Sequence, residues 1–411
     1  MRHIHQAIWL GAVGRPGSAA FIGLFTLDTL ARATLITVLP LQAFHLLGDA
    51  QRVSALYFAA SAAGLCGSLA IPWLVRRIQR RWTLTLGALC FIVAAPLLAQ
   101  YRLEFLISGL VAYLFGGACV SVCLNLYVLD RIPRQTYTRF EPTRMLVSGG
   151  AWVVGPVLGV YLESHVAAWL PYAASAGFAL AELGFFWFLR LGENPVIVPA
   201  TAAPPNPARF VRRFFSQPRL ALAWFLAMGR SAWWGMFYIY TPIYAVTAGL
   251  GHEAGGWLSS LGSAALFTVT LWGWVGRRYG LRRLLVGGYM ATGLLTVAVS
   301  LMAGTPWLGA AFLLAAAFGA AVTDGAGNVP FLRSVHPGER PEMTTVYASY
   351  RDVSRLSMPG LFSLILQYFT LPTVFATSGV IMLGLAWFAR YIPRRLGCER
   401  ERVLPVTATG R

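Results

Sequence analysis

One helical turn separates Asp28 from Arg32 inside FIGLFTLDTLARATLITVLPLQAFHLL, a run that is otherwise almost wholly apolar. Residues four apart share a helix face, so the two side chains are placed to pair. Ionisable groups in an apolar span are costly and mark a functional site by default. The chemistry expected here is binding of a proton or a cationic group at Asp28, tuned by Arg32; a structural ion pair is the alternative. Arg230 stands in GRSAWWGMFYIYTPIY beside Trp234, Tyr238 and Tyr240. Its guanidinium suits a carboxylate or phosphate, or pairs with Asp28. The three aromatics read as a pocket wall, or as core packing or an interfacial belt. Asp324 and Asn328 share one face of a glycine-interrupted helix and read as cavity or coupling residues, with Asn125 as a related position. Nearer helix ends, Glu141 with Arg144, and Arg351, Asp352 and Arg355, read as gate salt bridges. Cys119 and Cys123, four apart, would suit a soft metal, but no Met or His pattern accompanies them and helix packing is preferred.

The elements that position these groups are apolar helices. The chain has 411 residues, of which 57% are hydrophobic and only 12% charged, against about a quarter charged in soluble domains. Runs of roughly 20 apolar residues recur throughout, which identifies an all-α polytopic membrane protein. Twelve transmembrane helices are expected near 19–47, 53–75, 82–100, 104–130, 143–165, 168–191, 218–248, 253–275, 283–303, 306–332, 345–370 and 372–394. The net charge of +18 comes from Arg alone, without Lys, and sits in alternate loops. Arg76, Arg77, Arg80 and Arg81 form one cluster, and Arg131, Arg134, Arg139 and Arg144 the next. Arg277, Arg278, Arg282 and Arg283, then Arg333 and Arg340, then Arg394, Arg395, Arg400 and Arg402 follow in the second half. This is the positive-inside pattern and not a nucleic-acid surface; it requires an even helix count with both termini cytoplasmic.

Four segments are expected: a six-helix bundle over 1–191, a cytoplasmic linker over 192–217, a second six-helix bundle over 218–394 and a cytoplasmic tail over 395–411. The first residues read as a cytoplasmic lead-in and not a signal peptide. In the linker, Pro-rich sequence precedes FVRRFF, for which a plain tether is preferred over an amphipathic helix. The five Cys lie mostly in apolar runs, so no disulfide framework is implied.

The halves repeat at an offset of about 202 residues: TVLPLQAF around Pro40 matches IYTPIYAV around Pro242, and Asp28 falls opposite Arg230. FGGACVSVCLN, ending at Asn125, likewise matches FGAAVTDGAGN, ending at Asn328. Two six-helix repeats with a central site are one large transporter architecture. The chain thereby resembles the major facilitator superfamily over nearly its full length. That family carries a Gly-x-x-x-Asp-basic-x-Gly-basic signature between helices two and three. Its counterparts here are Pro72 to Arg81 and Gly273 to Arg283, with Arg76 and Arg277 standing where the acid is expected. The resemblance implies that the inner gate is stabilised differently from that of the family. Ala151, Gly155-Pro156 and Gly159 resemble the helix-five pattern of drug–proton antiporters, while the arginine such proteins carry in helix four is absent around Tyr113 to Gly117.

The expected function is therefore secondary transport of a small organic molecule by alternating access, coupled to protons through Asp28 or Asp324, with efflux favoured. Uptake of an organic anion or metal chelate through Arg230 and Arg32 is the alternative, as is a non-transporting assembly factor or sensor on the same fold. No phosphate loop, HExxH or nucleophile elbow points to an enzyme. No cofactor or bound metal is expected. The partners are the lipid bilayer, a small-molecule substrate and protons, with no nucleic acid; a monomer in a bacterial inner membrane is the expected setting.

Overall fold

The structure, a computed structural model, describes residues 17–132, 134–189, 207–302, 304–336 and 339–393. The expected lead-in, the Pro-rich part of the linker and the tail lie outside the described residues. Twelve spans follow one another, several of them interrupted where the sequence demands it. The first comprises Ser18–Leu35 and Val38–Leu47. Pro40 has no N–H for the carbonyl of Ile36 and its ring crowds that carbonyl, so the helix breaks at residues 36–37. The second and third spans lie within Ala50–Leu98, turning at Gln79; the fourth to sixth are Leu103–Arg131, Arg134–His165 and Leu170–Phe188. The seventh is Pro218–Thr247 and the ninth Leu281–Leu301. Between them the eighth runs from His252–Ala264 through a short 3-10 turn into Val269–Tyr279. The tenth is Pro306–Asp324 with the short Val329–Leu332, the eleventh Arg340–Ala348 with Tyr350–Ile365, and the twelfth Pro372–Ala389. The tenth breaks where Gly325 and Gly327 precede Pro330; Gly327 takes φ +51°.

The repeat is visible in the backbone. Gly280, at the corner between spans eight and nine, has φ +96° and ψ 137°, and Gln79 at the matching corner has φ 70° and ψ 158°. That region suits glycine and costs other residues about 1–3 kcal/mol. Gln79→Gly is expected to raise the thermal midpoint of the purified protein, by the equivalent of roughly 1 kcal/mol after the added flexibility of the unfolded chain is deducted; an unchanged or lowered midpoint would show that the corner is unstrained.

The helix-five glycines serve close packing. A Cβ on Gly155 would overlap Ala33, and one on Gly159 would overlap the carbonyl of Thr34, so the fifth span lies directly on the first. The segment expected to be a tether is instead helical over Pro207–Phe215. Phe214 is fully buried against Phe331 in a cluster with Trp224 and Tyr347, and Arg213 pairs with Glu339. Three apolar aromatic positions in nine residues gave this helix a face to bury.

The halves meet chiefly at the Arg-poor end. There spans five and eight pack together, Gly256 against Val160 and the Val157 N–H donating to Ser260 Oγ at 3.0 Å. Spans two and eleven meet through Phe58 and Gly360. At the Arg-rich, cytoplasmic end two ion pairs stay within the N-terminal half, Arg80 with Asp130 and Arg144 with Glu141, and Arg213 ties the linker helix to Glu339 of the C-terminal half. Among the described residues none bridges the halves there. The halves are thus held together at the outer end, where His252 also lies 2.9 Å from Glu163.

Candidate functional site

Each half holds one buried ion pair. In the N-terminal half Arg32 pairs with Asp28 Oδ2, and its Nε lies 3.4 Å from the carbonyl of Asp28. Asp28 is fully buried and its Oδ1 has no hydrogen-bond partner; the Arg32 side chain is 26% exposed. The Arg32 stem runs along the fourth span at Gly117, and Tyr113 donates to the Arg32 carbonyl at 2.9 Å. A guanidinium thus does lie against the fourth span near Tyr113–Gly117, supplied by the first. Arg144 is held by Glu141 through two hydrogen bonds on its own helix and lies over the Phe25 ring, 4.6 Å from its centroid. It is also within electrostatic range of Asp28. Glu141 and Arg144 therefore form no gate between the halves.

In the C-terminal half Arg230 does not reach across to Asp28. Its Nε lies 3.1 Å from Asp324 Oδ1, and its Nη1 donates to the carbonyls of Thr323 and Gly327, both at 3.3 Å. Those carbonyls stand where the tenth span breaks, at the negative end of a helix, where a cation is favoured. Trp234 Nε1 donates to Asp324 Oδ2 at 2.8 Å, so the carboxylate is held on both oxygens. The expectation that Asp324 and Asn328 share a helix face is corrected, because Gly325 and Gly327 end the helix between them. Asn328 is exposed, with Tyr347 donating to its Oδ1 at 3.4 Å, and Asn125 is exposed and donates to Ser121 O at 2.7 Å.

The aromatic expectation divides. Trp234 and Tyr238 stack at 5.8 Å, and Trp152 of the fifth span lies 5.4 Å from Tyr238, so this wall bridges the halves. Trp152 was missed by sequence reasoning; a Trp inside a glycine-rich span was its only signal. Tyr240 is not a pocket wall: it is fully buried, with its hydroxyl 2.6 Å from Ser54 Oγ across the interface.

The expected gate residues are mostly unpaired. No ion pair within 4.0 Å joins Asp352 to Arg355 among the described residues. Arg351 Nε instead donates to Tyr350 at 3.1 Å. Arg355 is exposed and lies within electrostatic range of Arg32, in the opposite half, and of Tyr113. Arg76 and Arg277 are exposed at the cytoplasmic end. Cys119 and Cys123 are buried, Cys119 against Gly87 where spans three and four touch. Among the described residues no group of three or more His, Cys, Asp or Glu is arranged to hold a metal. A further carboxylate missed from the sequence, Glu182, is fully buried in the sixth span within electrostatic range of Asp28 and Arg32.

A pseudo-symmetric pair of six-span halves, each with a buried ion pair near the interface, has close structural counterparts. The nucleoside transporter NupG is 13% identical, with a TM-score of 0.72 over 90% of this chain and 98% of that one. A peptide transporter POT in complex with sulfate is 12% identical, with a TM-score of 0.74 over 93% and 95%. A D-xylose–proton symporter is 14% identical, with a TM-score of 0.68 over 95% and 99%. At these identities the likeness is one of fold. No curated protein sequence matches the chain. The family model of the Major Facilitator Superfamily matches residues 21–359, and with twelve spans in two repeats this chain belongs to that superfamily of membrane transporters.

Proposed function

We propose that the protein is a proton-coupled secondary transporter of a small organic molecule, working by alternating access and favouring efflux. The observation that carries the coupling is Asp28: a fully buried carboxylate whose one ion-pair partner among the described residues, Arg32, is itself 26% exposed at the side chain. Rocking of the halves would alter that exposure, and so the balance between the ion pair and a protonated acid. The Gly155-Pro156 and Gly159 pattern of the fifth span supports efflux through its resemblance to the helix-five pattern of drug–proton antiporters. The D-xylose–proton symporter, though similar in fold alone, gives proton coupling a precedent on this architecture.

The second reading, uptake of an organic anion, is favoured by Arg355. Arg230 is committed to Asp324 and two carbonyls, but Arg355 faces Arg32 across the halves without an ion-pair partner among the described residues. Two guanidiniums within electrostatic range of each other suit a carboxylate or phosphate between them.

A thermal-shift screen of purified protein against cationic drugs, organic anions and sugars identifies a substrate for reconstituted vesicles. Flux of that substrate is expected to follow an imposed pH gradient, and Asp28→Asn to reduce gradient-driven flux at least tenfold in protein that still folds. Flux indifferent to the gradient would refute coupling. Stabilisation by anions alone, lost in Arg355→Ala, would select the second reading.

A further inference from the structure

Glu182 is the one carboxylate among the described residues for which both oxygens are buried and lack any hydrogen-bond partner. Tyr172, Ser175, Ala179, Glu182 and Phe186 form the buried stripe of the sixth span, spaced as one helix face. Two contacts fix how that face lies on the first span. Ser175 Oγ donates to Ala31 O at 2.7 Å, and a Cβ on Gly23 would stand 3.1 Å from the Phe185 ring. The spans run antiparallel, so interpolation sets Asp28 level with residue 179. At 1.5 Å rise per residue Glu182 is then only about 5 Å further along the axis.

The charges facing Glu182 are few. The first span contributes Asp28 and Arg32. The fifth contributes Arg144, which is bound to Glu141 and acts on Asp28 from the other side. The fourth contributes the Tyr127 ring beside Phe186. The second and third spans place Trp82 and Thr85 at Trp187, with Arg81 next to Trp82. Two buried carboxylates therefore share Arg32, the guanidinium within electrostatic range of both. An unpaired carboxylate in a dry interior is strongly disfavoured, so the cluster calls for one further positive charge. A metal or sodium ion wants several oxygen ligands, whereas a proton needs a single oxygen.

We propose that Glu182 carries the exchangeable proton of the N-terminal half, with Arg32 alternating between Asp28 and Glu182. This rests on the proton-coupled reading above and names a carrier for it. In the described state Arg32 is bound to Asp28 and Glu182 holds the proton. When Arg32 turns to Glu182, the carboxylic O–H bond breaks, its electron pair stays on the carboxylate, and the proton passes to Asp28 or to water reached along the part-exposed Arg32 side chain. No oxidant or co-reactant is involved.

The test needs no substrate. Infrared difference spectra of purified protein, recorded between acidic and alkaline buffer, report the C=O stretch of each carboxylic acid that titrates. Wild type is expected to lose such a band on alkalinisation; Glu182→Gln should lack it, and Asp324→Asn should retain it. Labelling glutamate with heavy carbon at the carboxyl should shift the same band in the unmutated protein, which keeps the test valid if Glu182→Gln does not fold. A band that persists in folded Glu182→Gln, or that ignores glutamate labelling, would overturn the assignment. Loss of the band on adding sodium at constant acidic pH would also overturn it, in favour of a metal cation. A wild-type Glu182 band together with flux that ignores a pH gradient would leave the proton site standing and sink the coupled-transport reading.

Discussion

Arg230→Ala should unfold at a lower temperature than Asp324→Asn, although each removes the same ion pair. The two deletions leave different residues behind. Without Arg230, Asp324 retains only the Trp234 hydrogen bond, and the carbonyls of Thr323 and Gly327 lose their shared donor at the break in the tenth span. Breaking a buried pair by deleting one partner costs about 3–5 kcal/mol. Asp324 is 21% exposed at the side chain, which points to the lower end of that range. Without the Asp324 charge, Arg230 still donates to both carbonyls, so about half that loss is expected. The double variant Arg230→Ala/Asp324→Asn should recover much of the Arg230→Ala deficit, because the stranded carboxylate is gone; such non-additivity is the signature of direct contact. Thermal midpoints of the four proteins in one detergent measure this. If Arg230 were chiefly a substrate anchor, Arg230→Ala would leave the midpoint near wild type.

That result bears on what the sequence could and could not reveal. The helix count and orientation were legible because hydropathy and alternating Arg clusters are properties of the chain alone. The Asp28–Arg32 pair was legible because four residues along a helix is a local relation. Pairing across 94 residues (324 minus 230) is not local. The repeat matched Arg230 with Asp28, but symmetry-related positions lie in different halves, each facing its own neighbours; correspondence does not bring them together. Asp352 and Arg355 show that spacing permits a pair without enforcing one. Glu182 carried part of the signal used for Asp28, an ionisable group in an apolar run, but Phe178 and Phe186 stand one turn either side where Asp28 has Arg32, and Gly384 stands at its repeat position, so no partner drew notice. Tyr240 and Ser54 met only through the docking of the halves.

The docking also has an electrostatic latch, and opening it should change which side of the molecule is exposed. Glu163, at the outer end of the fifth span, accepts from Tyr101 at 2.6 Å and lies 2.9 Å from His252 Nε2 in the opposite half. The hydrogen bond to Glu163, with burial as the larger cause, raises the Tyr101 phenol above its ordinary range, so it stays a donor. The neighbouring His165–Glu253 pair is longer, 3.5 Å, and about half exposed, which makes it the weaker contact. A hydrogen bond to a charged group contributes about 1.5–3 kcal/mol, and the bond to His252 exists only while the outside is closed. Removing it with Glu163→Ala should therefore shift the balance towards the outward-open state by roughly 30-fold, the equivalent of about 2 kcal/mol. Spin labels on Val166 and Phe369 report the outer side, and labels on Met145 and Leu332 the inner side. In Glu163→Ala the outer distance should lengthen while the inner one shortens; His165→Ala should produce a smaller change of the same sign. Glu163→Gln, which still accepts from Tyr101 but lacks the carboxylate charge, should fall between wild type and alanine. Unchanged distances in Glu163→Ala would show that apolar packing of Gly256 on Val160 holds the outer side shut without the latch.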